Sequence, residues 1–287
     1  MKALVDSIRD RLRLRRSGVP AIPTEWEPVF EQSSRRKLSA PAHSLCAITD
    51  IGRFRRNNED AYSFSSDRGL WVVADGMGGH AAGEIASALT VQTIVESMDS
   101  TRTEAGVPNR LMTAFASAQM VVSTHGLESA ERRGMGSTAI AAVKDGELLH
   151  ICHVGDSRAY HLSGGRFRRV TNDHSWVWTL VETGVLTPGQ ARSHALRGRL
   201  LQAIGCIEGI KPELTTVSLR AGDRVLLCSD GLWESLSDDD LRESVASVGS
   251  VRDLATDLVD RANAAGGQDN ITAILYQHNG EREPGAG

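Results

Sequence analysis

A mixed α+β fold, with mainly antiparallel sheets and helices packed outside them, is what this chain predicts, and three observations carry that reading. Apolar runs of strand length recur with short Asp-Gly or Gly-Gly breaks between them, the mark of hairpins. Residues 83–98 space Ile85, Ala88, Leu89, Ile94, Val95 and Met98 as one face of a helix, and 108–123 read the same way. Hairpins also outnumber strand–helix–strand units, which favours antiparallel pairing.

The elements follow in order. Residues 1–16 read as a short basic helix with Leu4, Val5, Ile8 and Leu12 on one face, able to lie weakly on an anionic membrane or a partner, or else as a frayed tail. Residues 17–43 hold four of the eight prolines and read as linker, so the folded domain is expected over 44–277. Strands are expected at 44–51, 61–66 and 70–74, with the polar loop GRFRRNNED after the first. Strands at 137–144 and 147–154 form a hairpin around Asp145 and Gly146, and 158–163 with 166–170 form a second around Gly164 and Gly165. After a helical and irregular stretch, 174–205, strands 213–219 and 224–229 predict a third hairpin around Ala221, Gly222 and Asp223. Residues 232–264 are helical, a last strand covers 271–276, and 278–287 form a polar tail.

Composition sets the class. A chain of 287 residues with 40% hydrophobic and 24% charged residues can bury a full core. No apolar run reaches the ~20 residues that span a bilayer, and the first residues lack a secretory signal, so a cytoplasmic monomer without a transmembrane segment is expected. Cys46, Cys152, Cys206 and Cys228 show no CxxC pairing and read as free thiols, most of them buried in strands. Nine Lys/Arg against five Asp/Glu make residues 1–43 +4, which leaves −8 of the net −4 for the rest. An acidic body argues against a nucleic-acid partner.

Chemistry gathers at three aspartates. Asp75 ends the apolar run LWVVA and is followed by Gly76, Gly78 and Gly79, backbone free to approach a ligand. Asp230 and Gly231 end RVLLCS in the same way, and Asp269 lies in the loop GGQDN before the last strand. Taken singly each reads as a turn residue. Together they suggest one shared oxygen-lined metal site, suited to Mg²⁺ or Mn²⁺ rather than Zn²⁺.

In order, RRNNED, VVADGMGGHAAGE, GMGSTA, VGDSRAY, LLCSDGLWE and GGQDNIT resemble the metal-dependent protein phosphatases, the type 2C or PPM family, in its bacterial branch. The resemblance covers roughly 44–277. It implies a four-layer α-β-β-α sandwich, two mainly antiparallel sheets flanked by helices, with two divalent cations, and a third in bacterial members, in a cleft at one edge. It implies that Asp75 bridges the metals, that the Gly76 carbonyl binds one, that Asp230 and Asp269 complete the first metal's shell, and that Glu59 reaches the second. Asp60 is expected to hold waters behind the metals, and Asp156 to hold the third ion or, failing that, to pair with Arg158. Arg55 matches the family's phosphate-clamping arginine. Residues 172–205 match the variable flap, where Trp176 and Trp178 are expected to pack. Gly134, Gly136 and Ser137 read as structural.

Two cations can neutralise a phosphate monoester and deprotonate a water between them, which answers one of the slowest uncatalysed hydrolyses known. The implied activity is hydrolysis of phosphoserine and phosphothreonine by that water, opposing a bacterial Ser/Thr kinase and acting on its substrates. Cys228 does not sit in the CxxxxxR frame of a cysteine phosphatase. Eukaryotic members carry a histidine just after the Asp-Gly pair, credited as general acid, where this chain has Met77. His80 reads as a cap or packing residue, which leaves a metal-bound water as proton source. A binding-only phosphatase fold is the alternative class, yet inactive relatives usually lose a metal carboxylate, and Asp75, Asp230 and Asp269 are all here. A phosphatase dedicated to one phosphoserine partner keeps the same motifs.

Overall fold

The computed structural model describes residues 35–39, 44–65, 68–78, 82–100, 106–206 and 209–280. The expectations for 1–16, for most of 17–43, for Gly79 and His80 and for most of the polar tail lie outside them.

Two antiparallel sheets stack face to face. The first runs β1 (Arg35–Ser39), β2 (Leu45–Asp50), β12 (Ile271–Gln277), β11 (Arg224–Cys228), β8 (Arg158–Ser163), β9 (Arg166–Arg169). The second runs β10 (Glu213–Ser218), β7 (Leu148–Val154), β6 (Ala139–Asp145), β4 (Leu70–Met77), β3 (Asp60–Ser65), with the short β5 (Gly136–Ser137) pairing the end of β4. Alternation along each strand explains the layers. In β4, Trp71 and Val73 point between the sheets, where they meet Leu45, Ile140, Ile151, Leu227 and Ile274. Leu70, Val72 and Ala74 face the other way, onto α1 (Ala82–Ser100) and α2 (Val107–Leu127). In β11, Val225 and Leu227 join the inter-sheet core, whereas Leu226 and Cys228 face α5 (Asp230–Ser235), α6 (Asp238–Ala246) and α7 (Val251–Ala264). Covered on both faces, these strands are apolar over residues 70–74 and 225–228, and the α-β-β-α sandwich follows. Between β9 and β10 lie α3 (Trp176–Glu182) and α4 (Pro188–Arg192), which start at the caps Ser175 and Thr187.

Two expectations change. The stretch expected as linker contributes β1, paired to β2 from Arg35 opposite Asp50 to Ser39 opposite Cys46. The third hairpin does not form: β10 pairs β7 in the second sheet, while β11 pairs β8 and β12 in the first. The turn at 220–223 therefore carries the chain from one sheet to the other. Asp223 holds it, accepting from the Arg220 backbone N–H (3.0 Å) and lying 2.9 Å from His161 Nε2 of β8. All four cysteines are free, with Cys46, Cys152 and Cys228 buried in strands and Cys206 exposed.

Candidate metal centre

Antiparallel pairing brings the acidic strand ends to one place. Asp60, first in β3, lies directly across from Asp75 in β4. In the facing sheet β11 ends at Cys228, opposite Ala273, so Asp230 after β11 and Asp269 before β12 sit at a common end. Asp156 occupies the short link from β7 to β8, which also crosses between the sheets.

Polar neighbours fix each group. Asp60 Oδ2 accepts from Ser229 Oγ (2.7 Å) and Thr272 Oγ1 (2.6 Å), while its buried Oδ1 has no hydrogen-bond partner. The Asp75 backbone N–H donates to Thr138 Oγ1 (3.0 Å), and its carbonyl accepts from Ser137 Oγ (2.9 Å) and the Thr138 N–H (2.8 Å). Asp230 Oδ1 is buried without a partner as well. Asp269 is half-exposed and accepts from its neighbour Asn270 N–H (2.8 Å) and from Arg55 Nη2 (2.6 Å). Asn270 anchors the loop that carries Arg55 and Glu59: its Nδ2 donates to the Ile51 and Asn57 carbonyls (3.0 Å each), and its Oδ1 accepts from the Glu59 N–H (2.8 Å).

Glycine is required at two contacts. A Cβ on Gly76 would stand 2.0 Å from the Gly83 carbonyl oxygen, and one on Gly83 would stand 2.6 Å from Glu59 Oε2. The first turn of α1, the end of β4 and the Glu59 carboxylate thus share a space that only bare backbone fits.

Burial and mutual repulsion set the electrostatics of the cluster. Burial first, then the charges of Asp230, Asp60, Asp156 and Asp269, push the Asp75 carboxyl well above its usual range. Burial and then Asp156 and Asp269 do the same to Asp230. Asp60 and Asp156 are each pushed up to about 7, again chiefly by burial. Glu59 is raised too, with Arg55 opposing the effect of burial. Crowded carboxylates with two orphaned oxygens fit a site built for hard divalent cations.

The eight residues expected at the site meet here: Asp60, Asp75, Asp156, Asp230 and Asp269 raise one another's or a shared neighbour's pKa, and Arg55, Glu59 and Gly76 border them. Arg55 is tied to Asp269, a contact that the sequence did not suggest. Asp156 does not take up Arg158, which forks onto Asp173 at 2.9 and 2.6 Å; the Asp156 carbonyl accepts instead from Trp233 Nε1 (3.0 Å). Sequence reading missed the hydroxyls of Thr138, Ser229 and Thr272 and the anchoring Asn270. Their signal was nearness to the motifs: Ser229 and Asn270 flank Asp230 and Asp269, and Thr138 and Thr272 follow Gly136 and Asp269 within three residues. Gly136 and Ser137 do serve a structural end, as β5 clamped to Gly76 and Met77. Trp178 packs under the Arg169 guanidinium (3.7 Å) and Trp176 against His194.

Among the described residues, no helix is long and apolar enough to cross a membrane. Residues 55–276 match the family described as Protein phosphatase 2C. Protein phosphatase PhpP of Streptococcus pneumoniae is 37% identical over 245 residues, covering 83% of this chain and 98% of PhpP. The serine/threonine protein phosphatase PstP of Mycobacterium tuberculosis is 37% identical over 229 residues, covering 80% of this chain but 44% of PstP, so the chain spans less than half of that relative. The catalytic domain of PstP, solved in complex with two manganese ions, matches with a TM-score of 0.73 at 33% identity, over 85% of this chain and 97% of that one. The chain belongs to the protein phosphatase 2C family.

Proposed function

We propose that this chain is a Mg²⁺- or Mn²⁺-dependent phosphatase that hydrolyses phosphoserine and phosphothreonine in proteins, with water as the nucleophile. One observation carries it: carboxylates from both sheets converge with two buried oxygens left unpartnered, in a chain whose relative PstP is described with two manganese ions. Asp75 would hold both ions, the Gly76 carbonyl one of them, Asp230 and Asp269 the first, Glu59 the second, and Asp156 a third. Bound there, the cations supply charge neutralisation for the phosphate and a water acidic enough to ionise near neutral pH.

The chain's own residues do the positioning. Thr138 and Ser137 fix the Asp75 backbone, so the carboxylate has one approach. Ser229 and Thr272 favour the ionised form of Asp60 against its burial, and leave Oδ1 for a water. Arg55 stands at the exposed rim, where its fork can leave Asp269 for two phosphate oxygens. Substrates would be the targets of a Ser/Thr kinase that this enzyme opposes, and the enzyme would act as a cytoplasmic monomer, a setting that suits four free thiols.

The test is hydrolysis of a phosphothreonine peptide by the full chain with EDTA, Mg²⁺ or Mn²⁺, beside Asp230→Asn. Activity is expected with either cation, none in EDTA, and a loss of about a hundredfold or more in the variant. Folded protein that binds Mn²⁺ yet turns over no phosphopeptide would reject the reading in favour of a phosphoprotein-binding module.

A further inference from the structure

A cavity of about 290 Å³ adjoins the candidate metal centre. That is near the lower end of the range for small-molecule sites. Trp233 of α5 forms the shared wall, since its ring lines the cavity while its Nε1 donates to the Asp156 carbonyl (3.0 Å). The opposite wall comes from the segment 172–205.

The lining carries an excess of positive charge. Arg158 and Arg169 are nearly buried, 9% and 14% exposed, and both pair with Asp173, itself 4% exposed. Arg158 spends its fork on that carboxylate and lies 3.4 Å over the Trp233 ring. Arg169 reaches Asp173 through Nη1 alone, at 3.2 Å from each oxygen. Among the described residues its Nε and Nη2 make no hydrogen bond. Burial, and beyond it the charge of Arg158, pull Arg169 below its usual range in spite of Asp173. Arg192 is spent on the carbonyls of Trp233 and Leu236 and stands 4.0 Å from Asp238. Arg197 donates from Nε to Glu234 (3.2 Å), and among the described residues its two Nη groups make no hydrogen bond. Four guanidiniums thus line the cavity against two carboxylates, Asp173 and Asp238. Both desolvated guanidiniums share the hydrogen bonds of Asp173, while Asp156 acts on Arg158 and Asp238 on Arg169 only through space, and a wall so incompletely paired is costly until an anion arrives. Planar forks with open donors suit a tetrahedral oxyanion.

We propose that this cavity is a second anion site, distinct from the metal centre, which takes a phosphate-class oxyanion on Arg169 and Arg197. Two sources share that chemistry, free inorganic phosphate and a further phosphoryl group on a bound phosphoprotein. Binding itself does not depend on the phosphatase reading; the second source rests on it.

The full chain is titrated with inorganic phosphate by calorimetry in EDTA, which strips the cations through which the metal centre would hold phosphate. One site is expected, weakened about tenfold or more in Arg169→Gln and in Arg197→Gln, the loss of a charged hydrogen-bond donor. Arg197 is 47% exposed, so its replacement leaves the buried group around Asp173 in place and keeps the test decisive if Arg169→Gln misfolds. No phosphate binding in the unaltered chain, or unchanged affinity in the folded variants, overturns the proposal. Peptides with one and two phosphothreonines, titrated under the same conditions, separate the sources. A gain from the second phosphate that vanishes in Arg197→Gln assigns the site to the substrate. Equal binding of both peptides, with phosphate binding still lost in the variant, assigns it to the free ion. An inactive enzyme would leave these EDTA titrations unchanged, so the two readings fail separately.

Discussion

Asp60 shows how single atoms set the pH at which this centre can work. Burial pushes its carboxyl up to about 7, while Ser229 and Thr272 pull it back by donating to Oδ2. A raised pKa leaves the anion, the only form able to serve a cation, present above that pH and lost below it. Thr272→Val removes one donor and moves the window higher. Mn²⁺ affinity at pH 7 is expected to fall about tenfold, the worth of one hydrogen bond to a charged group, with the deficit closing above about pH 8. Calorimetric Mn²⁺ titrations at pH 6, 7 and 8.5 check this, and equal affinities at pH 7 would refute it. Gly76 makes the complementary point by sterics. Its replacement by alanine forces a Cβ against the Gly83 carbonyl at 2.0 Å, so either β4 or the first turn of α1 must shift. A cost of about 1–3 kcal/mol in urea unfolding is expected, as for overpacked sites, together with loss of Mn²⁺ binding. Native-like stability and binding in Gly76→Ala would show that the contact is not needed.

Elements explain what was legible in the sequence and what was not. The hairpins β6–β7 and β8–β9 were readable because each is closed by its own turn, Asp145 and Gly146 or Gly164 and Gly165. The turn at 220–223 looks the same from inside, yet its strands part, and the deciding signal lies in the strands. RVLLC is apolar at four of five positions, as a central strand covered on both faces must be, whereas ELTTVS is mostly open to solvent. The acidic residues of the centre were legible through motif order. The hydroxyls and Asn270 that hold them were not, because Ser, Thr and Asn serve turns and caps everywhere. His153 of β7 was silent too. Its Nε2 lies 2.7 Å from the Asn172 carbonyl, and its ring stacks on His174 at 4.6 Å, near Glu213 of β10 and Asp173. Burial, aided by His174 and opposed by that carbonyl, Glu213 and Asp173, lowers it to about 4. The sign follows: below about pH 6.5 the unfolded chain takes a proton that the folded chain refuses, so stability falls as pH drops toward 4. At about 1.4 kcal/mol per unit the loss reaches roughly 2 kcal/mol by pH 5. Urea unfolding in EDTA at pH 7 and 5 should show that loss to shrink by this amount in His153→Gln. The acidic centre, whose raised pKa values act in the opposite sense, contributes equally to both proteins. An identical pH difference in the two proteins would remove His153 from the account.

At the scale of the whole molecule the acidic centre, the proposed metal site, is a joint between two sheets. Asp60 and Asp75 belong to one sheet and Asp230 and Asp269 adjoin strands of the other, while Asp156 lies on a connection that passes between them. The inter-sheet core of Trp71, Ile140, Leu227 and Ile274 holds the layers together along their length. At the acidic end carboxylates repel across the gap. Burial keeps them protonated or strained until cations arrive, so ion binding and stability should be one equilibrium. A site filled at a hundred times its Kd adds about 2.7 kcal/mol, and each kcal/mol raises the Tm of a domain this size by about 2–4 °C. Mn²⁺ should therefore lift the Tm by roughly 5–10 °C per site. The shift should be larger at pH 8 than at pH 6, because cations there displace fewer protons from Asp60 and Asp156. Asp75→Asn removes the carboxylate expected to touch both ions. It should raise the Tm of the cation-free protein by relieving repulsion, and abolish most of the Mn²⁺ shift. Scanning calorimetry of both proteins, with EDTA and with Mn²⁺ at the two pH values, reads all of these effects at once. If Mn²⁺ lifted Asp75→Asn as far as the unaltered chain, the ions would not be joining the sheets at this centre. If the variant gained nothing in EDTA, the carboxylates would already be neutral, and the acidic end would be held closed by protons alone.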